Sequence, residues 1–117
     1  MNGTTADEMR KSMLKTLRTE GYHAVAALLE GEIKPGLING AQPDLVGFNE
    51  HGKAVVVQVE TCETIATIEA EERLASLVVV MSEGHEYRLL VPTDCKDNAV
   101  RWIEKLGLDT DVIWEYF

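Results

Sequence analysis

Gln42-Pro43-Asp44-Leu45-Val46-Gly47-Phe48, followed by Lys53-Ala54-Val55-Val56-Val57-Gln58-Val59-Glu60-Thr61, is the pair of segments whose reading decides the fold. Leu45–Phe48 and Lys53–Glu60 read as strands, and Asn49-Glu50-His51-Gly52 between them suits a hairpin turn. Side chains alternate along a strand, so Gln58 and Glu60 share one face while Val57 and Val59 enter the opposite layer. Two polar groups on one face of an apolar strand are costly unless paired, solvated or put to use. With Asp44 on the neighbouring strand, three oxygen-bearing side chains converge. That is a candidate site for a hard divalent cation.

Working outward, the chain alternates helix and strand without repeats or low-complexity segments. Thr5-Ala6-Asp7-Glu8 is a capping-box pattern, followed by an apolar stripe of Met9, Met13, Leu14 and Leu17 that Gly21 stops. Residues 22–30 suit a first strand, and Pro35-Gly36 and Asn39-Gly40 punctuate a loop. Ala70, Leu74, Leu77, Val78 and Met81 keep helical spacing, which predicts a helix over 64–83 despite three consecutive valines. Tyr87–Val91 follows as a strand ending at Pro92. Thr93 or Asp94 caps a helix through Leu106, which Gly107 closes, and Val112–Phe117 is a final strand. The predicted order is αβββαβαβ. It implies an α/β fold, with a three-strand meander extended by parallel crossovers into a mixed sheet flanked by helices.

Composition narrows the function classes. At 117 residues the chain is expected to be one domain, with enough apolar content, 45%, to build a core. Its apolar runs are too short to span a bilayer, and residues 1–7 lack the basic start and apolar centre of a secretory signal. Two cysteines, Cys62 and Cys95, form no framework pattern, which points to reduced thiols in a cytoplasmic protein. The formal net charge of −9 argues against a surface built mainly to clamp polyanions. The local exception is the first helix, where Arg10, Lys11, Lys15 and Arg18 fall at near-helical spacing. Those positions read either as a phosphate-facing surface or as a solvated helix face.

The element order, with Pro43-Asp44 entering the second strand and Gln58-Val59-Glu60 ending the third, resembles the PD-(D/E)xK nuclease superfamily. It looks most similar to small Holliday-junction-resolvase-like and Mrr-like restriction endonuclease domains. The resemblance implies a restriction endonuclease-like fold acting on DNA, with Mg2+ or Mn2+ held by an Asp and an acidic residue, sometimes Gln. A Lys two residues further supports the attacking water. Carried over, Asp44 and Gln58 take the metal positions, and Glu60 stands where that Lys is expected. The set departs from the common pattern twice: Gln58 is neutral, and Glu60 exchanges a cation for an anion. A positive group to stabilise phosphate charge is therefore missing. Arg73 on the following helix and Lys15 on the first are the candidates to supply it. Two readings stay open: a metal-dependent nuclease with Asp44, Gln58 and Glu60 as catalytic and metal-binding residues, or an inactive module of the same architecture. The resemblance and the small size imply a homodimer, with the exposed edge of Val112–Phe117 or the first helix of this chain to supply the contact.

Each candidate also has a plain structural role. Asp44 suits a turn cap after Pro43, and Gln58 and Glu60 suit a solvent-reachable strand end. Glu8 is explained by the capping box, and Glu20 by exposure at a helix end. His23, His51 and His85 show no zinc spacing, and His51 and His85 are expected exposed. Cys62 lacks a positioned His partner for nucleophilic work. Trp102, Trp114, Tyr116 and Phe117 are expected to pack.

Overall fold

A computed structural model describes residues 5–117. The first four residues, part of the stretch read above for a secretory signal, lie outside the described residues. Helix α1 spans Ala6–Thr19 and begins with the expected capping box: the Thr5 side chain accepts from the Glu8 amide at 3.1 Å, and Glu8 Oε1 accepts from the Thr5 amide at 3.3 Å. Met9, Met13, Leu14 and Leu17 form its buried stripe. Strands β1 (His23–Ala27), β2 (Leu45–Phe48) and β3 (Ala54–Val59) follow, then α2 (Ile68–Leu77), β4 (Glu86–Pro92), α3 (Lys96–Lys105) and β5 (Ile113–Tyr116). The order αβββαβαβ is the one the sequence predicts.

The strands lie side by side in chain order, β1-β2-β3-β4-β5. The first two pairings are antiparallel and the last two parallel, so the meander and the two crossovers are both present. Both crossovers step the same way along the sheet, and a shared hand places their helices on one face. The packing agrees: Leu74, Leu77, Ala99 and Ile103 of α2 and α3 join Val56, Leu89 and Val91 in one cluster. On the other face, α1 packs on Leu45, Val55, Val57, Val59 and Leu90. Strand β3 is buried along its whole length, which matches its near-continuous valines.

Four local expectations are corrected. The first strand ends at Ala27 rather than residue 30, and a register irregularity falls between His23 and Ala26, where Ala24 adopts a φ of +51°. The helix predicted over 64–83 is α-helical only from Ile68 to Leu77. Thr67 caps its start, accepting from the Ala70 amide at 3.1 Å. At Val78–Glu83 the run of β-branched valines tightens into a 3-10 helix closed by Gly84 at φ +86°. Neither Thr93 nor Asp94 caps α3: Thr93–Cys95 form a 3-10 turn that runs into the helix without a side-chain cap. Phe117 does not pack; it is 94% exposed. The hairpin is as expected, with Asn49 Oδ1 accepting from the His51 and Lys53 amides at 2.9 and 3.0 Å. No described helix is long and apolar enough to cross a membrane.

The cysteines differ from expectation as well. Cys62 and Cys95 are joined as a disulfide, with Cα atoms 5.5 Å apart. Chain spacing carries no information about this pairing, because it is the parallel alignment of β3 and β4 that brings the two following loops together.

An arginine-closed polar site at the end of strand β3

Asp44 enters β2 with its amide donating to Val57 O at 2.9 Å, which fixes it opposite the end of β3. Its side chain then turns to the α2 face. Asp44 Oδ2 accepts from the Val59 amide at 2.7 Å, a backbone donor that the strand pairing leaves free. Gln58 lies one step away on the same face, and Glu60 follows at the strand end, its amide donating to Leu90 O at 3.0 Å. The alternation argument therefore locates all three. Asp44 and Gln58 are fully buried and Glu60 is 2% exposed, so the solvent-reachable strand end is not what forms.

Buried groups of this kind require partners, and here the protein supplies them. Arg73 on α2 donates from Nη2 to Asp44 Oδ2 at 2.6 Å and to Gln42 O at 3.0 Å. From Nη1 it donates to Glu60 Oε2 at 3.1 Å. One guanidinium thus spans both carboxylates. Arg10 on α1 approaches from the other side, with Nε 2.7 Å from Asp44 Oδ1 and Nη1 2.8 Å from Asp7 Oδ1. Gln58 Nε2 donates to Glu60 Oε2 at 2.6 Å and to Ala70 O at 3.1 Å, while its Oε1 accepts from Tyr87 Oη at 2.8 Å. Burial, reinforced by the charge of Glu60, pushes the Tyr87 hydroxyl well above its ordinary range and keeps it a donor.

The charge balance decides what this arrangement can hold. The two buried carboxylates, Asp44 and Glu60, are matched by two guanidiniums, with exposed Asp7 a third carboxylate on the outer side of Arg10. Asp44 uses both oxygens, Glu60 uses Oε2, and the Gln58 amide oxygen is taken by Tyr87. A divalent cation would have to displace Arg73 and strip Gln58 from its hydroxyl donor, so the residues as arranged do not fit Mg2+ or Mn2+. Among the described residues there is no cluster of three or more His, Cys, Asp or Glu side chains suited to a metal.

Of the two cations considered from sequence, Arg73 occupies the site and Lys15 does not; Lys15 lines a shallow cleft on α1 with Lys11 and Arg18. Arg10 and Tyr87 belong to the site but were not picked out for it. Tyr87 carried a signal: it pairs in register with Val56, facing α2, where a buried hydroxyl needs an acceptor. Arg10 carried less, since only the tertiary approach of α1 brings it to Asp44. Glu8 serves the capping box, and Glu20 is exposed at the helix end as expected, where it also pairs with Arg88 at 2.8 Å. His85 is half-buried, its Nδ1 accepting from the Ala54 amide at 3.0 Å.

No family model matches the chain, and no curated protein does. Among solved structures it is similar to a repair endonuclease from Pyrococcus abyssi, with a TM-score of 0.49 and 16% identity over 99% of this chain and 49% of that one. It is also similar to an EndoMS–dsDNA2 complex, with a TM-score of 0.46 and 19% identity over 99% of this chain and 46% of that one. The chain spans about half the length of either protein.

Proposed function

We propose that this chain is a nuclease-like domain that has exchanged metal chemistry for an internal arginine, and that it works as a binding or assembly module. The observation that carries this is the Arg73 guanidinium seated between Asp44 and Glu60, on the Asp44 carboxylate that the resemblance to PD-(D/E)xK enzymes gives to an ion. A guanidinium supplies positive charge but neither a coordinated water nor a Lewis acid. The site then holds strands and helix together, and binding is left to the surface. The basic face of α1, with exposed Lys11 and Lys15, is the place for DNA phosphates; the outer edge of β5 is the place for a second copy.

The metal-dependent nuclease is the second reading. One observation favours it: Arg73 is 29% exposed, so it reaches the buried carboxylates from the surface and is placed to exchange with another cation. Incubation with plasmid, four-way junction and single-stranded DNA plus Mn2+ separates the two. The module reading predicts intact substrates. Cleavage that disappears in Glu60→Ala protein would establish the enzyme instead. Electrophoretic retardation of the same DNAs, weakened in Lys11→Glu/Lys15→Glu protein, tests the basic face.

A further inference from the structure

We infer that Cys62 and Cys95 form a redox-responsive clamp on the connection between β3 and α2, which sets how firmly α2 holds Arg73 against Glu60. The cross-link is at a particular place in the fold. Cys62 follows Glu60 by two residues, at the start of the segment leading to α2, and Cys95 ends the 3-10 turn between β4 and α3. The bond ties together the loops leaving the C-terminal ends of two adjacent parallel strands, the end of the sheet where the arginine site lies.

The bonds that hold this segment show what the cross-link adds. Thr61 N donates to Thr64 Oγ1 at 2.9 Å, Thr64 N to Thr61 O at 3.1 Å, and Thr67 N to Thr64 O at 3.0 Å. All are local and survive if the segment moves as a unit. Its tie to α3 is the bond from Trp102 Nε1 to Ile65 O at 2.8 Å, together with burial of the Ile65 side chain. The disulfide is the covalent tie to the same region. Without it, among the described residues, the Trp102 hydrogen bond and the buried Ile65 side chain are what anchor the segment that joins Glu60 to the helix of Arg73.

The bond is also open to exchange. Cys62 is exposed, while Cys95 is buried against the core at 7% exposure. Exchange therefore starts at Cys62. With a small-molecule disulfide as oxidant, the Cys62 sulfur attacks one of its sulfurs and expels one thiol, which takes up the Cys62 proton. The Cys95 sulfur then attacks Cys62 in the mixed disulfide, and a second thiol leaves with the Cys95 proton. Two protein thiols thus give up two electrons and two protons, and the reagent becomes two thiols. Excess small thiol drives the same steps in reverse.

The clamp rests on the proposed role of Arg73 only for its consequence at the site, so the test reads the two separately. The full chain is equilibrated in glutathione buffers from fully oxidised to fully reduced. Free thiols are counted by alkylation and mass, and amide hydrogen exchange is followed over 61–73. The expected result is a single two-thiol transition, with exchange across 61–67 faster by about tenfold or more in the reduced protein and unchanged across β3 and β4. Cys62→Ser, which leaves the buried Cys95 packing in place, should match the reduced protein in every buffer. Two alkylated thiols in the fully oxidised buffer, or equal exchange over 61–67 in both states, would overturn the clamp. Mn2+ calorimetry on the oxidised protein tests the arginine site independently: binding that requires Asp44 would overturn that reading and leave the thiol result standing.

Discussion

Arg73 and Arg88 each bridge a pair of carboxylates, and their burial is inverted. Arg73 is 29% exposed and reaches inward to Asp44 and Glu60, whose side chains are 0% and 3% exposed. Arg88 is 4% exposed and reaches outward to Glu20 and Glu86, which are 34% and 41% exposed. On the α1 face, Arg88 stacks 3.8 Å from the Trp114 ring centroid, and its hydrogen bonds to Glu86 and Glu20 outweigh the lowering effect of burial and hold its pKa above the usual range. The difference teaches which partner is dispensable. Where the carboxylates are buried, the cation is required by what it neutralises. Where the cation is buried, its carboxylates can return to water.

Methionine substitution of each arginine is the strongest way to break this comparison. Arg73→Met strands two buried carboxylates and should lower unfolding free energy by about 3–5 kcal/mol in urea titrations. Arg88→Met keeps most of the packing volume, loses the stacking on Trp114, and should cost about 1–2 kcal/mol. Equal losses would remove the distinction. Tyr87→Phe, which leaves the Gln58 amide oxygen without its donor, should cost about 1–3 kcal/mol.

Alkaline pH sharpens the same contrast. Tyr87 has its folded pKa raised, so its contribution to stability is complete below the ordinary tyrosine value and is lost as pH rises beyond about 10. Tyr22, in the Arg88 cluster, is raised too, by burial first and then by its hydrogen bond to Glu86. Denaturation followed from neutral to alkaline pH should show stability falling above that point, and falling less steeply in Tyr87→Phe than in Tyr22→Phe. Last and smallest, Glu20→Gln should change stability by at most about 1 kcal/mol, since a partly exposed pair is screened by solvent.

Much of the site was legible because strand alternation is a strict rule. Gln58 and Glu60 had to share a face, and the hairpin at Asn49–Gly52 fixed the neighbouring strand that carries Asp44. Element order was equally legible, since α1 keeps its apolar stripe, β3 its run of valines, and turn residues punctuate the segments between. What could not be read was how the polar groups are satisfied. Arg73 was a candidate cation only because the resemblance leaves a positive group missing; on an amphipathic helix a charged residue ordinarily faces water, and nothing local distinguished it from Lys15. Arg10 lies still further from Asp44 in sequence and meets it only through tertiary packing. The Cys62–Cys95 bond was hidden for the same reason. The valine run at 78–80 failed differently: helical periodicity continued through it, while branching at Cβ narrowed the turn.

The central claim, that Arg73 is the resident cation of the Asp44–Glu60 pair, is tested most directly by titrating Mn2+ into wild-type and Asp44→Asn protein by calorimetry. The account predicts superimposable isotherms, with only the diffuse binding of an acidic surface in both. A saturable site present in the wild-type protein and absent from the Asp44→Asn variant would contradict it.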